Sequence, residues 1–270
     1  MTDACLSRHL ADGIATLTLN RPDKSNAFDQ DMWRALREAL QWADDTPEAR
    51  VVLLTGAGKN FCAGIDLAML LNIQQAIHQE CEGRKREALR RLILQLQDDI
   101  SSLERCRKPV IAAIHGACIG GGIDLVTAAD IRFASADAYF AVREIDMGMT
   151  ADVGTLQRLP RIVGEGVARE LCLTGRRIDA AEAAQLKLVN QVFDSQDALL
   201  AHARQVAASI ASKSPLAVRG TKQVLNYSRD HSVADSLEYV ANWNAAMLLS
   251  NDIQQAVMAS MSKRTAQFAD

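Results

Sequence analysis

The sequence predicts an α/β core followed by an all-helical tail. Two apolar runs of strand length, residues 51–55 (VVLLT) and 110–114 (VIAAI), each lead into a glycine-containing turn. Helix-compatible stretches follow both turns. After the second, strand-like periods fade and helical spacing continues toward the C-terminus. The expected division is a core over residues 1–200 and a helical region over residues 201–270.

Taken in order, residues 5–10 and 14–19 (IATLTL) flank Asp12-Gly13 and read as a β-hairpin. Asn20-Arg21-Pro22-Asp23 ends the second strand. Asp29 suits the cap of a helix in which Met32, Leu36, Ala39 and Leu40 recur at helical spacing, with Pro47 as its stop. Strand 51–55 leads to Gly56-Ala57-Gly58. Residues 61–67 (FCAGIDL) form a further glycine turn. Residues 72–105 read as one long helix. Strand 110–114 then precedes Gly120, Gly121 and Gly122, and IDLVTAA suits a short buried helix. Helices are expected over 164–174, 180–185, 197–211, 215–227 and 233–249. Lys213-Ser214-Pro215 breaks the helical run, with Pro in a first turn.

Composition narrows the function classes. The chain has 270 residues, of which 49% are hydrophobic, so it can build a sizeable core. A net charge of −3 and only 4% aromatic residues argue against a nucleic-acid or anionic-membrane partner. No apolar run approaches membrane-spanning length. Six cysteines lie scattered without a C-x-x-C pair. Asp3, Arg8, His9 and Asp12 interrupt any signal-peptide core, and the terminal QFAD is not a peroxisomal address. A cytoplasmic location with reduced thiols is expected.

The chemistry concentrates in residues 110–152. A strand, a glycine turn and a helix expose backbone N–H groups at the helix start. Asp124 falls in that helix's first turn, and Glu144 and Asp152 follow in a loop-like segment. The arrangement suits a site that stabilises an oxyanion and moves protons. On their own the glycines would equally serve tight strand–helix packing, and a lone carboxylate is usually solvated, as is expected of Asp137 and Asp146. Cys118 beside the glycines has no readable Cys–His–Asn set and reads as a core thiol. His9, His78, His115, His202 and His231 lack metal-ligand spacing, so no metal is expected. The basic run Arg84-Lys85-Arg86 with Arg90-Arg91 is interleaved with Glu82 and Glu87 and reads as a solvated helix face, with contact to phosphates as a lesser alternative. GACIGGG lacks the spacing and acidic ribose ligand of a dinucleotide fingerprint.

NRPDKSNAF, FCAGIDL and HGACIGGGIDL, in this order and spacing, resemble the enoyl-CoA hydratase/isomerase (crotonase) superfamily over nearly the whole chain. Within it, EIDMGMTADVGTLQRLP and the segment starting KSPLAVRGTKQVLNYSRDHS are most similar to the Δ3,5-Δ2,4-dienoyl-CoA isomerase branch. The resemblance implies a crotonase-like core of repeated ββα units, a C-terminal helical oligomerisation region, and a homotrimer or homohexamer. It implies an acyl-CoA thioester substrate and no cofactor, CoA being carried by the substrate. It places the oxyanion hole at the N–H groups of Ile65 and Gly121, substrate contacts at Ala63, Gly64, Asp66, Leu67 and Gly122, and the catalytic carboxyls at Asp124, Glu144 and Asp152.

Hydratases carry glutamates at the positions of both Asp124 and Glu144, and a glycine-rich turn where this chain has Asp152. The resemblance therefore implies conversion of 3,5-dienoyl-CoA to 2,4-dienoyl-CoA in fatty acid β-oxidation, with Asp152 serving C2, Glu144 serving C6 and Asp124 as a polar auxiliary. A 2-enoyl-CoA hydratase or a Δ3-Δ2-enoyl-CoA isomerase is the alternative enzyme. A non-catalytic RNA-binding homologue is the alternative of another class.

Overall fold

In a computed structural model of the chain, residues 2–3 and 5–270 are described. A short β1 (Thr2–Asp3) pairs with β2 (Leu6–Ala11), which forms the expected hairpin with β3 (Ile14–Leu19). Asp12 and Gly13 turn it, both at positive φ (52° and 76°), the geometry that suits the right-handed strand twist. Asp29 caps α1 (Gln30–Asp45) by accepting from the Met32 N–H at 2.9 Å. Met32, Leu36, Ala39, Leu40 and Ala43 form its buried stripe. The helix ends before Pro47, where the Thr46 N–H bonds the Trp42 carbonyl.

After β4 (Val51–Gly56) come α2 (Leu67–Ala76) and α3 (Glu82–Arg105). The single helix expected over 72–105 is thus two. Ile77 turns into the core at 7% exposure, and the chain restarts its helix after Cys81. Both arms favour helix by composition, so periodicity carried no sign of the break. Next come β5 (Val110–Ile114), β6 (Ala117–Ile119) and α4 (Gly121–Thr127). Then β7 (Ile131–Ser135), β8 (Tyr139–Ala141), a 3-10 turn over Glu144–Met147, α5 (Thr155–Val163) and α6 (Glu165–Thr174) follow. The chain continues with β9 (Ile178–Asp179), α7 (Ala180–Gln185), β10 (Gln191–Phe193) and α8 (Gln196–Ala211). It finishes with α9 (Pro215–Ser228), α10 (Val233–Met247) and α11 (Asn251–Met261). The strands β1, β6, β7, β8, β9 and β10 and the helices α5 and α11 were not anticipated. The strands β9 and β10 are too short to show a period, and α11 exposes most of its apolar residues and so has no core stripe.

The larger sheet runs β1-β2-β3-β4-β5-β7-β10, parallel from β3 onward, and the smaller runs β6-β8-β9. The order strand, strand, helix recurs in β2-β3-α1, β5-β6-α4 and β7-β8-α5. Alternation divides the large sheet's residues between two cores. Leu17, Leu19, Val52, Leu54, Ala112 and Ile114 face α1 and α3, while Val51, Leu53, Ile111, Ala113 and Phe133 face α8. Leu199, Ala203 and Ala207 are the inner face of α8, which spans residue 200 and packs on the sheet. Among the described residues no helix is long and apolar enough to cross a membrane.

Candidate active site

Two glycine turns meet because a β-bridge joins them. Cys62 pairs with Cys118: its N–H donates to the Ala117 carbonyl, and its carbonyl accepts from the Ile119 N–H, each at 2.9 Å. Phe61 N–H adds a bond to the His115 carbonyl at 2.8 Å. This lays residues 61–64 alongside β6 and brings Gly64 to the start of α4. Gly64 has φ +90°, and a Cβ there would lie 2.9 Å from the Ile119 carbonyl oxygen.

Ile65 is held from its other side. Phe28 N–H donates to the Gly64 carbonyl at 2.7 Å and Asp66 N–H to the Phe28 carbonyl at 2.9 Å. In a parallel bridge this pattern turns the N–H of Ile65 away from Phe28. Gly121 is the first residue of α4, a position whose N–H has no intrahelical acceptor. A Cβ built on Gly121 would stand 3.8 Å from the Ile65 nitrogen. The two N–H groups therefore border one small space at the positive end of a helix.

The neighbouring predicted residues have distinct places. Ala63 donates its N–H to the Ser25 carbonyl. Asp66 caps α2 through the Ala68 N–H at 2.9 Å and pairs with Arg21 at 2.9 Å, which holds its carboxyl below the usual range. Its side chain is thus engaged within the fold. Leu67 is 57% exposed at the opening of the turn. Gly122 packs helix against strand, since a Cβ there would meet the Cys62 carbonyl oxygen at 2.9 Å.

Of the three carboxyls, Glu144 stands at the glycine turn, and Asp124 and Asp152 are near enough to act on its charge. Asp124 is fully buried, one oxygen accepting from the Thr155 N–H at 2.5 Å and the other without a hydrogen-bond partner. Burial raises it to about 6 against the bonds from Thr155. Glu144 opens the 3-10 turn, and its Oε1 would be 3.3 Å from a Cβ on Gly120. Burial, then the negative charges of Asp124 and Asp152, push Glu144 up to about 7. Its Oε2 is buried without a partner. Asp152 lies in the turn before α5, and burial raises its carboxyl too. By contrast Asp146 pairs with Arg143 at the surface. The buried Cys118 thiol is pushed well above its ordinary value, as a core thiol is. Arg84, Arg86, Arg90 and Arg91 are exposed on α3.

Sequence reasoning missed the supports. Asn26, fully buried at φ +55°, donates to the carbonyls of Ala57 (2.9 Å) and Asn60 (2.7 Å) and accepts from the Arg21 N–H (2.8 Å). Arg21 itself ties the Ala27 carbonyl to Asp29 and Asp66. The motif NRPDKSNAF is therefore a bracket behind FCAGIDL. A large cavity of about 1210 Å³ is lined by residues of α3, α5 and α9. Asp152 is among its lining residues, and the glycine turns are not part of it.

Residues 9–270 match the family described as Enoyl-CoA hydratase/isomerase. Over 254 residues the chain is 51% identical to the Arabidopsis thaliana protein named "Delta(3,5)-Delta(2,4)-dienoyl-CoA isomerase, peroxisomal", covering 94% of this chain and 91% of that one. It is 47% identical to the Homo sapiens protein named "Delta(3,5)-Delta(2,4)-dienoyl-CoA isomerase, mitochondrial", covering 93% and 77%. The solved structure of an enoyl-CoA hydratase from Bacillus anthracis superposes with a TM-score of 0.88 at 31% identity, covering 98% of this chain and 99% of that one. The cytoplasmic expectation is corrected by these relatives, which are named for organelles. It rested on cysteine usage, which reports redox conditions rather than an address, and on the lack of one kind of targeting signal, which does not exclude others. With the paired glycine turns, the ββα core and the family match over residues 9–270, the chain belongs to the enoyl-CoA hydratase/isomerase family.

Proposed function

We propose that this chain isomerises 3,5-dienoyl-CoA to 2,4-dienoyl-CoA within fatty acid β-oxidation. The observation that carries the reading is Glu144. It is a half-buried carboxyl beside the glycine turn, with one oxygen buried and unpartnered, raised to about 7 and acted on by two aspartates. Such a group holds a transferable proton near neutral pH. The names of the relatives at about half identity support the same reaction.

The thioester oxygen accepts from the N–H groups of Ile65 and Gly121. Asp152, as carboxylate, takes a proton from C2. The negative charge spreads over C4, C6 and the thioester oxygen, where the two donors and the start of α4 stabilise it. Glu144 delivers its proton to C6, giving the 2,4-diene. Asp152 then holds one proton and Glu144 lacks one, and exchange with solvent restores both. Asp124 keeps the turn after Asp152 in place through Thr155. The reaction uses no cofactor.

Incubation with a 3,5-dienoyl-CoA should produce the ultraviolet absorbance of the conjugated 2,4-diene. Asp152→Asn should fold and bind the thioester while turnover falls by ~10²–10⁴. Hydration of a 2-enoyl-CoA without dienoyl isomerisation would replace this reading with the hydratase one.

The helical region supplies the assembly surface in the same proposal. Beyond α8, Val233 is 78% exposed, Leu237 63% and Leu248 52%, an apolar area larger than isolated surface residues account for. Neighbouring copies in a trimer, or a dimer of trimers, would cover it. A monomeric mass by light scattering at micromolar protein would refute the assembly.

A further inference from the structure

The turn that carries Asp152 is fixed from outside at three points. Gln97 of α3 donates to the Asp152 carbonyl at 2.7 Å. Asp124 accepts from the Thr155 N–H. The third point is Arg158 of α5. Its Nη1 is 3.4 Å from the Val153 carbonyl, and it lies so close over Gly154 that a Cβ there would fall 1.7 Å from it. Gly154 also has φ +136°, a backbone conformation that favours glycine.

Arg158 is itself held. Its Nη2 donates to Ser101 Oγ at 2.9 Å and to Glu104 Oε2 at 2.8 Å, both on α3. The other Glu104 oxygen binds Arg229, at the C-terminal end of α9. Asn226 of α9 donates to the Glu104 carbonyl at 3.1 Å. The Arg158 and Glu104 side chains are only 12% and 15% exposed, so solvent screens their pairing little. The two arginines hold the Glu104 carboxyl below its ordinary value despite its burial. A chain of charge-assisted bonds thus runs from the helical tail through Glu104 to Arg158, whose Nη1 makes a longer 3.4 Å contact with the carbonyl of Val153, the residue after Asp152.

We propose that Arg158, Glu104 and Arg229 are positioning residues that aim the Asp152 carboxyl, so that the docking of α9 sets the competence of the base. The proposal rests on Asp152 being the base. None of the three is needed to close the core, which lies in the two apolar clusters around the large sheet. Their effect is on geometry, and proton transfer is sensitive to sub-ångström placement.

The test is a double-mutant cycle read by kcat and KM with a 3,5-dienoyl-CoA. Arg229→Gln and Glu104→Gln should each lower kcat by about 10-fold while KM changes less than about 2-fold. Arg158→Lys should lower it by a similar factor, because an ammonium cannot span Glu104, Ser101 and Val153 together. In an Asp152→Asn background, Arg229→Gln should have no further effect, since there is no base left to aim. Unchanged kcat in the Gln variants, or an equal loss with and without Asp152, would overturn the proposal. Full activity of Asp152→Asn alone would instead refute the assignment of the base, so the two failures are distinguishable.

Discussion

Glu144→Gln tests whether the half-buried carboxyl is the proton donor, and it can be read in stability before any substrate is added. Glu144 titrates at about 7 in the fold against an ordinary 4.5. Its folded value is the higher one, so the fold prefers the protonated form. That preference is fully present below pH 4.5 and is lost as pH rises through about 7. One unit corresponds to about 1.4 kcal/mol, so between about pH 5 and about pH 8 the wild type should lose about 2–3 kcal/mol through this group. Gln at 144 cannot ionise and escapes the loss. The buried Oε2 has no partner, and the amide placed there adds an offset common to both pH values. Urea unfolding of both proteins at one concentration measures the difference. The variant should gain about 2–3 kcal/mol on the wild type between the two pH values. A difference that stays constant within about 0.5 kcal/mol would refute the raised value, and with it the argument for a neutral donor. With substrate, wild-type kcat/KM should fall as pH rises past about 7, where the donor of the free enzyme loses its proton.

Gly121→Val should fold, because its Cβ meets Gly64 and Ile65 only at 3.6 Å or more, and should lose ~10²–10³ in turnover as the side chain covers the donors. Wild-type turnover in the folded variant would contradict the oxyanion hole. Asn26→Ala should be destabilising by about 2–4 kcal/mol in urea unfolding, since three half-buried backbone groups lose their partner and alanine must take a positive φ. A loss under about 1 kcal/mol would show that the bracket behind FCAGIDL is dispensable.

What the sequence revealed and what it hid have separate physical causes. The hairpin was legible because Asp12-Gly13 is a local signal, and α1 because Asp29 and the spaced Met32, Leu36 and Leu40 act within one helix. The strands 51–55 and 110–114 were legible because both faces are buried, which makes the runs continuously apolar. The three carboxyls were named through family motifs, and their residue types alone would have left them as ordinary loop acids. Their distinguishing property is burial: Asp124 and Glu144 are raised to about 6 and about 7 chiefly by loss of water, a consequence of tertiary packing. Asp66 shows the opposite case. It sits inside the FCAGIDL motif, yet its carboxylate is held by Arg21 and the Ala68 N–H and is unavailable to move a proton. The supports were the least legible of all. Arg158 and Arg229 are separated from Glu104 by 54 and 125 positions, and only the stacking of α3, α5 and α9 brings them together. Motifs therefore locate the glycine turns, while the groups that hold the turn around residue 152 follow from the packing of helices far apart in the chain.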